Sequence, residues 1–296
     1  MTLAEQRQYR LGVLYVSLSA LAWSLSGLFM RSIQADLMTI ICVRGLFSGT
    51  AVGLFFLYLE RRRAWSILLA MRWPTLWATV LSTTGMITGL GAIYYTSVAD
   101  AMVIYATLPF MTAGVAYLTI GERPSRATLI AASVALAGVL VMLGDVGNAS
   151  GNSLLGKGLA LAMTLSGALF ATVMRKHRDV HMLPAMMFSA WLCSLITIWF
   201  AAPMALAGHD LRLIMLFAVV QNALGLILYT FGSRWVPAAD ASLLTALEVP
   251  ITPLWVWLFM NEMPSQATLI GGPIVLAALF GHIWAEMRRN RAPATA

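Results

Sequence analysis

Ten apolar stretches follow one another along this chain, at about 11–30, 37–59, 73–93, 98–118, 125–143, 156–174, 184–207, 211–232, 238–260 and 265–285. A stretch of about 20 apolar residues is long enough to cross a bilayer as a helix. Ten of them leave little sequence for anything else. Charged residues are 10% of the chain, against roughly 25% in a soluble domain, and mean hydropathy is +0.81. The expected fold is an all-α membrane protein. Residues 1–30, with Arg7 and Arg10 ahead of an apolar run, have the look of a signal peptide. That reading is set aside because the run is long, no clean A-x-A-like site follows, and the segment belongs to a repeat. Cys42 and Cys193 lie inside apolar runs without metal-type spacing, so neither a disulfide framework nor a zinc site is expected.

The chain spells one turn twice. Residues 122–130 read ERPSRATLI and 262–270 read EMPSQATLI, seven of nine positions identical at an offset of 140. At the same offset "ADA" at 99–101 meets "ADA" at 239–241, Gly85 meets Gly225, and Arg72 meets Arg212. For the first helix the offset is 144: Gly12 meets Gly156, Leu21 meets Leu165, and "MR" at 30–31 meets "MR" at 174–175. The expected units are residues 1–146 and 147–296, five helices each. They are joined by the Gly, Asn and Ser-rich stretch 144–158. Five is odd, so the second unit enters the membrane the opposite way up from the first.

Basic residues give the orientation. With the N-terminus in the cytoplasm, fifteen of the 19 Lys and Arg fall on inner segments. Arg31, Lys157 and Arg212 fall on outer ones, and Arg44 lies within a span. That bias places both termini inside. The first turn then faces the cytoplasm and the second faces outward. In each, the proline (Pro124, Pro264) separates two helices and the serine (Ser125, Ser265) caps the next. Glu122 and Glu262 stand beside that helix start, in a turn that is either structural or part of a gate.

Two five-helix halves, each closing its fourth helix with GERPS or NEMPS before an ATLI helix, resemble the drug/metabolite transporter superfamily, and within it the ten-helix EamA-type exporters. The likeness covers nearly the whole chain. Pro109, thirteen residues before Glu122, fits the family pattern; the equivalent position is Val249, with Pro250 and Pro253 nearby. The resemblance implies two inverted repeats around a central cavity in a bacterial inner membrane. It also implies export of small metabolites, often amino acids and in some members aromatic ones. Drugs and nucleoside-like metabolites are the alternative cargo, and a non-transporting receptor or scaffold is the alternative class. An intramembrane enzyme is disfavoured, with no H-E-x-x-H and no paired intramembrane Asp, and an ATP-driven pump lacks its phosphate loop. The expected partners are a small-molecule substrate and the bilayer, with protons as candidate coupling ion. No cofactor and no nucleic acid are expected.

Inverted repeats place a substrate site at their interface near the midplane, so polar residues within the spans are the candidates. Glu248 lies mid-span with Thr245 and Thr252 on its face; the equivalents are Tyr105, Leu108 and Thr112, so the carboxylate stands in one half only. Two readings of Glu248 stand: a substrate-ammonium or proton site, or a protonated structural residue hydrogen-bonded by neighbours such as Thr245 and Thr252. Gln221, Asn222 and Tyr229 in the eighth span, and Ser82 and Thr83 in the third, either line a cavity or bond helix to helix. Ser19, Trp23 and Ser26 share a face of the first span, with Met163, Gly167 and Phe170 as counterparts in the sixth. Such an aromatic and methionine face suits an apolar ring or plain helix contact. Arg44 either snorkels to the outer interface or meets a substrate carboxylate. Gly85 and Gly89 suit close helix approach. Asp100 and Asp240 suit helix starts and carry no transport role.

Overall fold

The computed structural model describes residues 3–121, 123–143, 151–177, 182–236, 241 and 244–291. Ten helices cross the membrane in two inverted sets of five. The first set is α1 (Leu3–Ser24, continued by Ser26–Ser32), α2 (Leu37–Glu60), α3 (Trp73–Tyr95), α4 (Val98–Tyr105 and Leu108–Ile120) and α5 (Arg126–Leu143). The second is α6 (Gly151–Lys176), α7 (Met182–Thr197), α8 (Gly208–Leu216 through Gly225–Gly232), α9 (Leu244–Met260) and α10 (Gln266–Arg291). Among the described residues, seven helical stretches are long and apolar enough to cross a bilayer, and three more are shorter apolar helices. Helices are what such a sequence must form, because lipid offers no partner to an unpaired backbone N–H or C=O.

The repeat is visible in how the helices meet. The α3–α6 and α8–α1 contacts are one contact used twice, as are α4–α6 with α9–α1 and α3–α7 with α8–α2. The α2–α7 and α5–α10 pairs cross between the halves. Where α5 meets α10, a Cβ at Gly138 would stand 2.7 Å from Val275 Cγ2 and 2.8 Å from the Gly271 carbonyl oxygen. Gly138→Val is therefore expected to cost about 1–3 kcal/mol by overpacking, seen as a lower unfolding midpoint of the detergent-solubilised protein. An unchanged midpoint would mean that the two backbones do not approach this closely.

The twin turns are built alike. Ser125 and Ser265 each accept the N–H of the residue three ahead, Thr128 and Thr268, at 3.1 Å. The preceding helices both end on a left-handed residue, Gly121 (φ 70°) and Asn261 (φ 55°), 140 positions apart. These are the two residue types that cap a helix this way most readily. Glu122 lies outside the described residues.

Two boundaries differ from the sequence expectation. Of the expected linker 144–158, residues 151–158 belong to α6 and 144–150 lie outside the described residues. The glycines do not stop this helix because Gly156 lets it lie against the backbone of Tyr95 and Thr96. The seventh span ends at Thr197, well short of 207. A short 3-10 turn at Pro203–Ala205 follows, and α8 begins at Gly208.

Candidate functional site

Among the described residues, four helices are interrupted or change helix type inside the membrane. In α1, Leu25 N–H bonds back three residues to the Ala22 oxygen at 3.3 Å, and the helix restarts at Ser26. Trp255 of α9 donates to Ser24 Oγ at 3.0 Å, tying this break to α9. In α4 and α9 the interruptions fall at equivalent positions, Thr107 and Leu247, whose N–H groups bond three residues back to Ile104 and Leu244. The proline shift seen in the sequence leaves the break in register. Pro109 removes the donor for the Tyr105 carbonyl, and Pro250 the donor for that of Ala246, one step further along. In α8, Phe217–Leu224 is a π-helical segment. Interrupted helices of this kind expose polar backbone where it lines a protein interior.

Glu248 is the first residue of the restarted α9, at the positive end of a half-helix. It is half-buried, and among the described residues nothing donates a hydrogen bond to its carboxylate. The threonines on its face are otherwise engaged: Thr245 Oγ1 donates to the Ala241 oxygen at 3.0 Å, and Thr252 Oγ1 to the Glu248 carbonyl at 2.7 Å. Tyr105 of α4 lies within electrostatic reach of both Glu248 and Tyr229. The Tyr229 ring of α8 sits 5.4 Å from that of Trp23 of α1, centroid to centroid. The Trp23 indole in turn lies against Gly225, where any Cβ would strike it. Four helices thus bring one carboxylate and three aromatic rings together, all half-buried.

The remaining candidates are placed elsewhere. Ser26 is half-buried at the restart of α1, one residue before Gly27, over which Val98, Val256 and Thr252 close. Thr245 is one turn before Glu248 on α9. Ser82 Oγ donates to Ser189 Oγ at 3.1 Å, and Thr83 Oγ1 reaches the Thr79 and Ser189 oxygens at 2.8 and 3.2 Å, joining α3 to α7. Asn222 Nδ2 donates to Ser48 Oγ, joining α8 to α2. These two links are one link repeated: Ser82 and Asn222 are 140 apart, and Phe47-Ser48 corresponds to Phe188-Ser189. Met163 covers Gly89 at the α3–α6 seam, its Sδ 3.0 Å from where a Cβ would stand. Gln221 accepts from Arg44 Nη2 at 2.9 Å.

Arg44 does not snorkel. It is 6% exposed, its guanidinium 4.5 Å from the centroid of Phe217. The reason is that its side chain turns inward from α2 onto α8, where Gln221 and Phe217 hold it.

The chain was compared with known proteins. The model of the EamA-like transporter family matches it twice, over residues 10–144 and 154–284. This chain belongs to the EamA-like transporter family. A relative from two strains of Pseudomonas aeruginosa, the pseudopaline exporter CntI, is 24% identical over 272 residues, covering 90% of this chain and 94% of that protein. A solved crystal structure matches at TM-score 0.64 and 18% identity over 95% of this chain and 99% of that one, a likeness of fold.

At one end of its bundle this EamA-like transporter carries a polar cluster that the residues alone had not announced. Arg31 Nε donates to Glu262 Oε2 at 2.6 Å, and its Nη2 to Glu262 Oε1 at 3.2 Å and to the Thr96 carbonyl at 2.7 Å. Glu262 Oε1 also accepts the Val98 N–H at 2.9 Å. Beside it Asp100 accepts from Thr268 Oγ1 and lies 3.8 Å from Lys157 Nζ, both charges buried. Asp100 is thus more than a helix-start carboxylate: with Glu262 it ties together the ends of α1, α3, α4, α6, α9 and α10. The repeat supplies counterparts for the other end, Arg175 with Glu122, and Asp240 for Asp100. Glu122, Asp240 and the Arg175 side chain lie outside the described residues. The signal that could have found the cluster was in the sequence: "MR" and the turn glutamate repeat together, an Arg and a Glu carried as a set.

Proposed function

We propose that this chain exports small amphipathic metabolites by alternating access, with amino acids, aromatic ones foremost, as the leading cargo class. Glu248 is the charged group that receives them. The observation that carries this reading is the half-buried Glu248 carboxylate without a donor among the described residues, with Tyr105 within electrostatic reach of it and of Tyr229, whose ring meets that of Trp23. A substrate ammonium supplies the missing donors in a charge-assisted bond, and the three rings suit an apolar or aromatic body. A carboxylate in this position also takes up a proton when the substrate leaves, which makes Glu248 the candidate for proton coupling. Trp23, Tyr105, Tyr229, Thr245 and Glu248 form the proposed contact surface, with Ser26 at its edge. Ser82, Thr83, Met163 and Asn222 hold the walls in place, and Gln221 acts through Arg44.

The test is counterflow in proteoliposomes with labelled amino acids, nucleosides, cationic drugs and pseudopaline, the last because the relative's printed name gives it as that protein's cargo. Aromatic amino acids are expected to exchange fastest. Preferential exchange of a small hydrophilic sugar, with no response to aromatic amino acids, would refute the cargo class.

The proposed orientation is both termini in the cytoplasm of a bacterial-type inner membrane, from the distribution of basic residues, with units meeting near residues 146–147. The Arg31–Glu262 cluster then lies at the outer face. Single cysteines at Ser125 and Ser265 are expected to react with an impermeant reagent from opposite sides of the membrane. Reaction of both from one side would contradict the orientation and the inverted arrangement together.

A further inference from the structure

Arg44 is a buried charge that no ion pair among the described residues balances. Its Nη2 donates to Gln221 Oε1, its plane rests on Phe217, and Phe217 stacks on Phe29 with centroids 5.2 Å apart. Its Nε is buried and has no partner. The ion pairs among the described residues engage Glu262, Asp100 and Asp210, and none includes Arg44. A guanidinium has five N–H donors and keeps its proton in proteins. Leaving such a charge buried without an anion is costly.

A structural role does not account for that cost. The α2–α8 seam that Arg44 and Gln221 bridge is already bridged one turn away by Asn222 and Ser48, two neutral groups. At the offset that matches Phe47-Ser48 to Phe188-Ser189, the counterpart of Arg44 is Ala185, fully buried on α7. The fold is thus satisfied by alanine at the twin position. This is the pattern of Glu248, whose twin is Leu108: each half contributes one intramembrane charge that the other half lacks.

We propose that Arg44, whose partner Gln221 stands one turn along α8 from Gly225 and the Trp23 indole against it, is the carboxylate-binding residue at the α2 edge of the transport site, its guanidinium steadied by Gln221 and Phe217, and that the cargo therefore carries a carboxylate. The inference rests on the exporter reading for the word cargo, but the binding site it describes is tested without transport. Gln221 takes one N–H of Nη2 and leaves Nε without a partner, a buried donor to which a carboxylate oxygen can bond. The cargo is then anionic or zwitterionic, and a purely cationic drug is disfavoured because it would face Arg44 as a like charge.

The experiment is thermal unfolding of the purified full chain in detergent, titrated with 3-phenylpropionate, with its amide, and with phenethylamine. The expected result is that 3-phenylpropionate raises the midpoint of the wild type and its amide does not. Arg44→Gln weakens the acid at least tenfold, Arg44→Lys weakens it less, and Glu248→Gln weakens phenethylamine. Equal protection by acid and amide, undiminished protection of Arg44→Gln by the acid, or no protection of the wild type by the acid overturns the proposal. If Arg44→Gln does not fold, the comparison of acid with amide on the wild type and Arg44→Lys decides it. Protection by the acid through Arg44 in a protein that shows no counterflow would instead keep this site and remove the exporter reading.

Discussion

Glu248→Gln is expected to insert and fold as the wild type does and to lose transport by about ten- to a hundredfold. The size follows from what is removed. A hydrogen bond to a charged group contributes about 1.5–3 kcal/mol, and each 1.4 kcal/mol is about tenfold in an equilibrium. The amide keeps the shape of the side chain and takes away the charge that an ammonium needs. Glu248→Leu, which copies Leu108 in the other half, is expected to lose transport as well. Folding should survive both changes, because among the described residues no hydrogen bond or ion pair depends on the Glu248 carboxylate. The measurement is initial rate in proteoliposomes across a range of pH, beside an unfolding midpoint for each variant. Wild-type rate with unchanged pH dependence in Glu248→Gln would make the carboxylate structural.

The second large effect is expected at the cluster around Glu262. Arg31 and Glu262 are each about a quarter exposed, at 26% and 25%, so solvent screens their attraction and the ion pair alone contributes little. Glu262 also accepts the Val98 N–H, and Arg31 donates to the Thr96 carbonyl. Removing the carboxylate breaks the ion pair and leaves the Val98 N–H without its acceptor, roughly 1–2 kcal/mol in favour of an open end, or about a five- to thirtyfold change in a two-state ratio. Met30, next to Arg31 and buried at 4%, reports on it. A cysteine at Met30 is expected to react about five- to thirtyfold faster from the Glu262 side when Glu262 is changed to Ala. The double change Arg31→Glu with Glu262→Arg should bring the rate back towards wild type. Unaltered reactivity in Glu262→Ala would mean that the pair does not hold this end closed.

Much of the architecture was legible in the sequence because it rests on local chemistry written twice. The ERPS and EMPS turns, their capping serines and the prolines that interrupt α4 and α9 act within a few residues of themselves, so reading them needs no tertiary information. Glu248 was legible for a different reason: a carboxylate in a run of apolar residues is conspicuous wherever the helix ends up. Threonine is less readable. Thr245 and Thr252 share a face with Glu248, yet their hydroxyls bond to backbone carbonyls four residues back, a local choice that competes with any side-chain partner. Gln221 and Asn222 were harder still. The π segment Phe217–Leu224 shifts the helical register, so both reach α2 while Tyr229, further along the same helix, meets Trp23 of α1. A period of 3.6 residues does not forecast that division. Arg44 depends entirely on context: on the lipid-facing side of α2 the same residue would reach the surface, and only its placement against Gln221 and Phe217 of α8 keeps it inside.

The central claim is that a site between α1, α4, α8 and α9 is open to each side of the membrane in turn. Ser26 is the position from which to test it, because it borders that site, is half-buried, and among the described residues makes no side-chain hydrogen bond that a cysteine would break. In a chain whose own Cys42 and Cys193, both buried, are replaced by alanine, Ser26→Cys should react with an impermeant thiol reagent from either face of oriented vesicles. A bound aromatic amino acid should slow the reaction from both faces. Reaction from one face only, or equal reaction with and without that amino acid, would contradict alternating access through this site.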